Sequence, residues 1–478
     1  MRARIGAMLA TAAMLSGCGG GGDGGTVATG ASTSSPTPAP TASTGCSLRE
    51  RQDWAAARLR EWYLFPDTLP ATLSPAAYTT VDDYIDALTA TARAQRKDRF
   101  FTYLTSIKEE NAYYNAGSSA GFGIRFALDQ SGQRLVVAEA FEGAPGLAAG
   151  IDRGTEILAI GTTSATLRTV SAIVAAEGTA GLTTALGPDT AGTSRVLQIN
   201  NAAGTRTVTV TKTDFALLPV STRYGAKIIQ DGGQSVGYIN LRTFIKTAEP
   251  ALKTAFADFR AKGITKVIID LRYNGGGLIE TAEYLGDLLG GARSTSEVFD
   301  YVTFRTEKAS NNTTRFFAPK AESIAPTRIA FIGTGGTASA SELVINAFTP
   351  YLHANAGLIG TNTYGKPVGQ IALDREACDD RLRVIALATQ NAARSGDYYD
   401  GLATKVEASC QASDDIGYPL GDPLESSTRQ ALNFLAGRSC TPITGAANAR
   451  SLRTADTRRD LLMPDQPGTA QRVVPGMF

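Results

Sequence analysis

The sequence predicts a multidomain chain of mixed α/β and β class: a small N-terminal helical region, a β-rich module and a larger α/β core. Three observations carry this expectation. With 478 residues, 43% of them hydrophobic, the chain has room for about three domains of ordinary size and can bury real cores. Apolar residues recur at helical spacing between Leu48 and Thr105. Beyond Tyr224, short β-branched runs alternate with helix-length stretches, as in a parallel sheet covered on both faces.

Charge narrows the function before any motif is read. Lys+Arg 46 against Asp+Glu 45 leaves a net charge of +1, which supplies no general pull toward nucleic acid or anionic membrane. The single histidine, His353, excludes a His-Glu-x-x-His zinc hydrolase, which needs two imidazoles on one helix face. A Ser-His-Asp mechanism would have to run through that one residue. No metal or organic cofactor is implied.

Residues 1–17 read as a signal peptide. Arg2 and Arg4 precede an apolar run from Ile5 to Leu15, too short to span a bilayer but suited to a secretory signal. Leu15-Ser16-Gly17-Cys18 then resembles the lipobox of bacterial lipoproteins. The resemblance implies cleavage before Cys18 and its lipidation, which anchors the chain to a membrane through buried acyl chains. By resemblance to Gram-negative sorting, the lack of an acidic residue after Cys18 leans toward the outer membrane, facing the periplasm. Residues 18–45 are, after Cys18, almost wholly Gly, Ser, Thr, Ala and Pro, with Asp23 the one charge, a flexible tether with a reach of roughly 30 Å.

Four cysteines follow, an even number in a chain with an export signal. Three pairings are open. Cys378 with Cys410 and Cys46 with Cys440 are favoured, the second tying together the two ends of the folded part. A cysteine nucleophile would need a nearby base, which these four lack.

In residues 46–111, Trp54, Leu59, Trp62, Tyr63, Tyr84 and Leu88 recur at helical spacing, interrupted by Pro66 and Pro70. They read as core and packing without chemistry. Next come Gly121-Phe122-Gly123-Ile124, a strand-like run from Arg134 to Ala138, Ala144-Pro-Gly-Leu-Ala-Ala-Gly-Ile151 and Gly154-Thr-Glu-Ile-Leu-Ala-Ile160. A Gly-apolar-Gly-apolar loop leaves backbone N–H groups free for a peptide carboxylate, and the strand edge beside it can accept an added strand. In this order the segments resemble a PDZ domain over residues 112–215, ending in a hairpin near Arg195–Val210. The resemblance makes Gly121, Phe122, Gly123 and Ile124 the peptide-binding loop.

The core spans residues 216–440. Strand-like Val236–Leu241 and Lys266–Leu271 flank a helical stretch, Ala248–Lys262, and Asp270-Leu-Arg-Tyr-Asn-Gly-Gly-Gly277 leads into a helix near Leu278. Three glycines there allow close approach to a ligand, although a flexible turn is the commoner fate of such a run. Arg328–Gly333 leads to Thr334-Gly-Gly-Thr-Ala-Ser-Ala-Ser-Glu342 and another helix. Ser339 or Ser341 could use the amides at its start to stabilise negative charge, or be a plain N-cap. Leu358–Gly360 precedes Thr363-Tyr-Gly-Lys-Pro-Val-Gly-Gln370, where Lys366 has small and apolar neighbours.

Taken together, these motifs resemble the carboxyl-terminal processing, or tail-specific, serine peptidases, built on a Clp/crotonase-like core with a Ser-Lys catalytic pair. The resemblance makes Ser339 the nucleophile, Lys366 the general base and Gln370 the residue that positions the lysine. It gives the oxyanion hole to the backbone N–H groups of Gly276 and Ala340, and the substrates are polypeptides with accessible C-termini. Two departures stand out: Gly275 occupies a position where the family usually has proline, and the stretch from Ser339 to Lys366 is a residue or two longer than usual. A free lysine titrates near 10.4, so such a base must lose about 3 units, or roughly 4 kcal/mol, to desolvation. His353 reads as a surface residue, and residues 441–478 as a loosely ordered tail. Two competitors remain: a tethered PDZ binder without turnover, and an enzyme acting on thioesters.

Overall fold

The computed structural model describes residues 45–129, 131–444 and 459–478. The signal peptide, Cys18 and all of the tether except Gly45 lie outside the described residues. Among the described residues, no helix is long and apolar enough to cross a membrane.

The core is a six-stranded sheet in the order Lys227–Asp231, Gln234–Asn240, Lys266–Asp270, Arg328–Gly333, Ala356–Gly360, Ala408–Gln411. The first pair is antiparallel and every later pair is parallel. Alternation within Lys266–Asp270 explains its unbroken apolar run. Val267 and Ile269 face the helices Ala248–Ala261, Ile279–Leu289 and Ala340–Leu352, while Ile268 faces the helix Ser426–Leu435. A strand buried on both sides has no polar face to show.

Residues 118–216 carry a second sheet. Its strands run Ile124–Asp129, Leu135–Ala140, Glu156–Gly161, Ser194–Asn201, Gly204–Thr211, with Arg459–Leu461 added at the edge of Ile124–Asp129. The helices Val170–Glu177 and Ala180–Leu186 pack Ile173 and Leu182 onto Phe126 and Ile157.

The helical region does not stand apart. Its first helix, Leu48–Trp62, starts with a reciprocal cap in which the Ser47 N–H donates to Glu50 at 3.1 Å. Leu59 and Ile85 then pack onto Leu382, Val384 and Ile385 of the core strand Asp380–Gln390. Tyr103–Ser106 also pairs antiparallel with that strand, Tyr103 opposite Arg383.

This packing corrects the expected disulfides. The bridges are Cys46–Cys378 and Cys410–Cys440, with Cα separations of 5.6 and 5.5 Å, and not Cys378–Cys410 or Cys46–Cys440. Cys46 precedes a helix that lies on the strand beginning just after Cys378. Cys440 follows the Ser426–Leu435 helix, which packs on the sheet face that includes Cys410. Neither neighbourhood is visible in linear spacing.

The tail is the second correction. Residues 459–478 form a strand, Arg459–Leu461, and a short helix, Thr469–Val473. Pro464, Pro467, Gly468, Pro475 and Gly476 give the segment a loop composition, yet Leu462, Val474, Met477 and Phe478 are buried against the second sheet and the core.

Candidate active site

Lys366 lies on the connection from Ala356–Gly360 to Val368–Arg375. Its amine donates to Gln370 Oε1 at 2.9 Å and lies 4.7 Å from the centre of the Phe101 ring. Gln370 in turn donates through Nε2 to Phe101 O. Burial pushes the amine down to about 8; Asp98 opposes the shift, and the positive charges of Arg472 and Arg383 add to it. A dry site disfavours the charged form of a lysine.

Phe101 is held by Asp98, whose buried carboxylate accepts from Phe101 N–H at 2.8 Å, Thr102 Oγ1 at 2.7 Å and Tyr63 Oη at 2.8 Å. Arg99 stacks on the Tyr364 ring at 4.0 Å and donates to the carbonyls of Tyr364 and Gly365. The helical region therefore builds one wall of the lysine pocket, which the sequence reading assigned to packing alone. The run Asp98-Arg99-Phe100-Phe101 breaks the helical spacing, and that break was the available signal.

Ser339 is the N-cap of the helix Ala340–Leu352 and has φ +56°. A positive φ at a non-glycine residue is uncommon and collects at functional sites. The turn is fixed by Glu342, whose buried carboxylate accepts N–H groups from Ser339 at 3.0 Å and from Gly365 and Lys366 at 2.7 Å each. One side chain thus ties together the backbones of the predicted nucleophile and base. Burial raises its pKa against those hydrogen bonds. Ser341 is turned away and donates to Asn274 O at 2.9 Å.

The glycine loop packs directly on Ser339. A Cβ on Gly276 would come within 2.8 Å of Ser339 Cβ and 3.0 Å of Ala340 N, so only glycine fits there. The Gly276 N–H, however, donates to Asn274 Oδ1 at 2.9 Å, so one of the two expected oxyanion donors is already engaged. Ala340 N–H belongs to the first turn, where amides have no acceptor within the helix. Ser339, Lys366 and Gln370 line one cavity of about 1400 Å³. No hydrogen bond joins Ser339 to Lys366 among the described residues. His353 lies outside the cavity, exposed, with Nδ1 2.7 Å from Glu407.

In the predicted peptide-binding loop, Phe122 and Ile124 are buried, and Gly123 has φ +67° against Ala144. Its edge is occupied by the chain itself: Ile124 N–H donates to Phe478 O at 3.2 Å, and Phe478 N–H to Ile124 O at 2.9 Å.

Residues 235–392, which contain the glycine loop, Ser339, Lys366 and Gln370, match the family model described as Peptidase family S41. Residues 235–392 belong to peptidase family S41. Among curated relatives, a chloroplastic C-terminal processing peptidase of Tetradesmus obliquus is 27% identical over 275 residues, 54% of each chain. A carboxyl-terminal-processing protease of a Picosynechococcus strain is 26% identical over 252 residues, 52% of this chain and 55% of its own. The chain spans about half the length of the curated relatives it matches. A crystal structure of a Bacteroides fragilis protein described as an S41 protease superposes with a TM-score of 0.61 at 21% identity. It covers 80% of this chain and 97% of its own, a likeness of fold.

Proposed function

We propose that the chain is a serine endopeptidase cleaving exported polypeptides near unstructured C-termini, with Ser339 as nucleophile, Lys366 as general base and Gln370 positioning the lysine. The observation that carries this reading is an amine brought down to about 8 by burial, lining one cavity with a serine at φ +56°. A neutral amine can take the hydroxyl proton, which an ordinary lysine at neutral pH cannot.

In this mechanism Lys366, released from Gln370, deprotonates Ser339. Ser339 Oγ attacks the peptide carbonyl, and Ala340 N–H with Gly276 N–H, once it is released from Asn274, holds the oxyanion. Lys366 returns the proton to the leaving amine. Water, deprotonated by the same lysine, then frees the acyl group from the serine. Residues 112–215 act as a PDZ domain that captures or gates the substrate chain. Export with a lipid anchor at Cys18 in the outer membrane agrees with two disulfides, which persist in oxidising compartments.

A second reading, a tethered PDZ protein without turnover, is favoured by the engaged Gly276 amide and the missing Ser339–Lys366 hydrogen bond. A fluorophosphonate probe separates the two. Labelling of the wild-type chain but not of Ser339→Ala, with cleavage of an unfolded protein abolished in Lys366→Ala by mass spectrometry, supports the peptidase. An unlabelled wild-type chain leaves the binder.

A further inference from the structure

The edge of the strand Ile124–Asp129 is shared by two pieces of one segment, and they meet at Phe126. Leu462 N–H donates to Phe126 O at 3.0 Å, continuing the ladder in which Leu461 lies opposite Ala127. On the other side of that residue, Phe126 N–H donates to Gly476 O at 2.8 Å and Ile124 exchanges both its hydrogen bonds with Phe478. Between these pieces the segment passes over the candidate active site, where Gly275 N–H donates to Val473 O at 2.9 Å, and Met463 and Pro464 line the cavity. It therefore follows the course expected of a substrate: added as a strand beside the glycine-flanked loop, then led across the glycine turn against Ser339.

We propose that residues 459–478 are a tethered ligand of this edge, and that the edge selects polypeptides of the form Gly-x-aromatic, which must displace the tethered copy to reach the cavity. Side-chain contacts define the motif. The Phe478 ring is 3% exposed and lies 5.9 Å from Phe126, in the cluster that also holds Phe122 and Ile173. Two residues earlier, Gly476 has φ +81°, and a Cβ there would lie 2.9 Å from Phe126 O and 3.1 Å from Arg125 Cγ. A side chain at that position is excluded by both torsion and space.

Arg125 adds a demand on the ligand backbone. It is 1% exposed, pairs with Glu139, and donates through Nε to Pro475 O at 3.0 Å. Removing that carbonyl without replacement would leave a buried charged donor short of a partner. An extended polypeptide supplies the same carbonyl at the same place, so displacement by another chain is favoured over simple opening. Because the segment is joined to the core through residues 445–458, its effective concentration at the edge is on the order of 1 mM. With an intrinsic Kd of about 10 µM for the tethered copy, a free chain then binds about 100-fold more weakly than it would to the vacant edge.

This inference rests on the peptide-binding reading of residues 112–215 and not on the chemistry of Ser339. The test uses the full chain carrying Ser339→Ala and a fluorescein-labelled peptide Val-Val-Pro-Gly-Met-Phe, followed by anisotropy. Adding Phe478→Asp should release the tethered copy and tighten peptide binding at least tenfold. A Val-Val-Pro-Ala-Met-Phe peptide should bind that variant at least tenfold more weakly than the glycine peptide. Equal affinity for both chains, equal affinity for both peptides, or no binding to either chain overturns the assignment. Hydrogen exchange on the Ser339→Ala chain with Phe478 intact provides a measurement free of any folding defect from the tail substitution. Millimolar peptide should speed exchange of the 462–473 amides at least tenfold, and unchanged exchange overturns the assignment as well. Failure of the peptidase reading, an unlabelled Ser339, would leave these binding results untouched.

Discussion

The Lys366 amine is governed by what surrounds it more than by what it bonds. With its pKa at about 8, about one amine in ten is neutral at pH 7, against about one in three thousand for an ordinary lysine. In the proposed mechanism the base is the neutral form, so peptide hydrolysis should rise about tenfold per pH unit below pH 8 and level off above it, as read from kcat/KM profiles. Phe101→Ala admits water to the pocket. The ring also attracts a cation, but the net shift of the amine is downward, so burial outweighs that attraction. The profile of Phe101→Ala should therefore move up by about one pH unit; an unmoved midpoint would show that the aromatic wall does not set the titration. At this scale the sequence singled out the proposed reacting groups and was silent about their supports. Ser339, Lys366 and Gln370 stand in short motifs, whereas Asp98 and Phe101 reach the pocket from more than 200 residues away in sequence.

Among the elements, the core strands were legible because burial on both faces leaves a β-branched run: Arg328–Gly333 has the bounds its composition suggests, and Lys266–Asp270 differs by one residue. The tail was not legible, since its prolines and glycines describe local stiffness and turning but not the apolar surface waiting for Val474 and Phe478. Nor were the disulfides, which depend on how the first helix lies on the strand Asp380–Gln390. Their loops differ greatly, with sequence separations of 332 and 30. In the chain-entropy account, removing Cys46–Cys378 by paired serine substitutions should cost about 2 kcal/mol more than removing Cys410–Cys440. Urea unfolding of the two double variants measures the difference.

Over the whole molecule, the second sheet is joined to the core by buried charge. Arg242, on the segment after Gln234–Asn240, donates to Glu139 at 2.7 Å and to Glu142 at 2.6 Å, and Glu139 also pairs with Arg125. Breaking such a network by removing one partner leaves a charge stranded away from water. Arg242→Ala should lower stability by about 3–5 kcal/mol in urea titrations, while a loss below 1 kcal/mol would mean that the sheets are held by apolar contact alone. The positive φ of Ser339 also bears on how this architecture can change over generations. A cysteine has the same unbranched Cβ and could inherit that backbone corner with a new leaving-group chemistry. Threonine, branched at Cβ, would meet its own main chain there. Descendants of this fold can thus exchange oxygen for sulfur at the corner far more readily than they can exchange a primary alcohol for a secondary one.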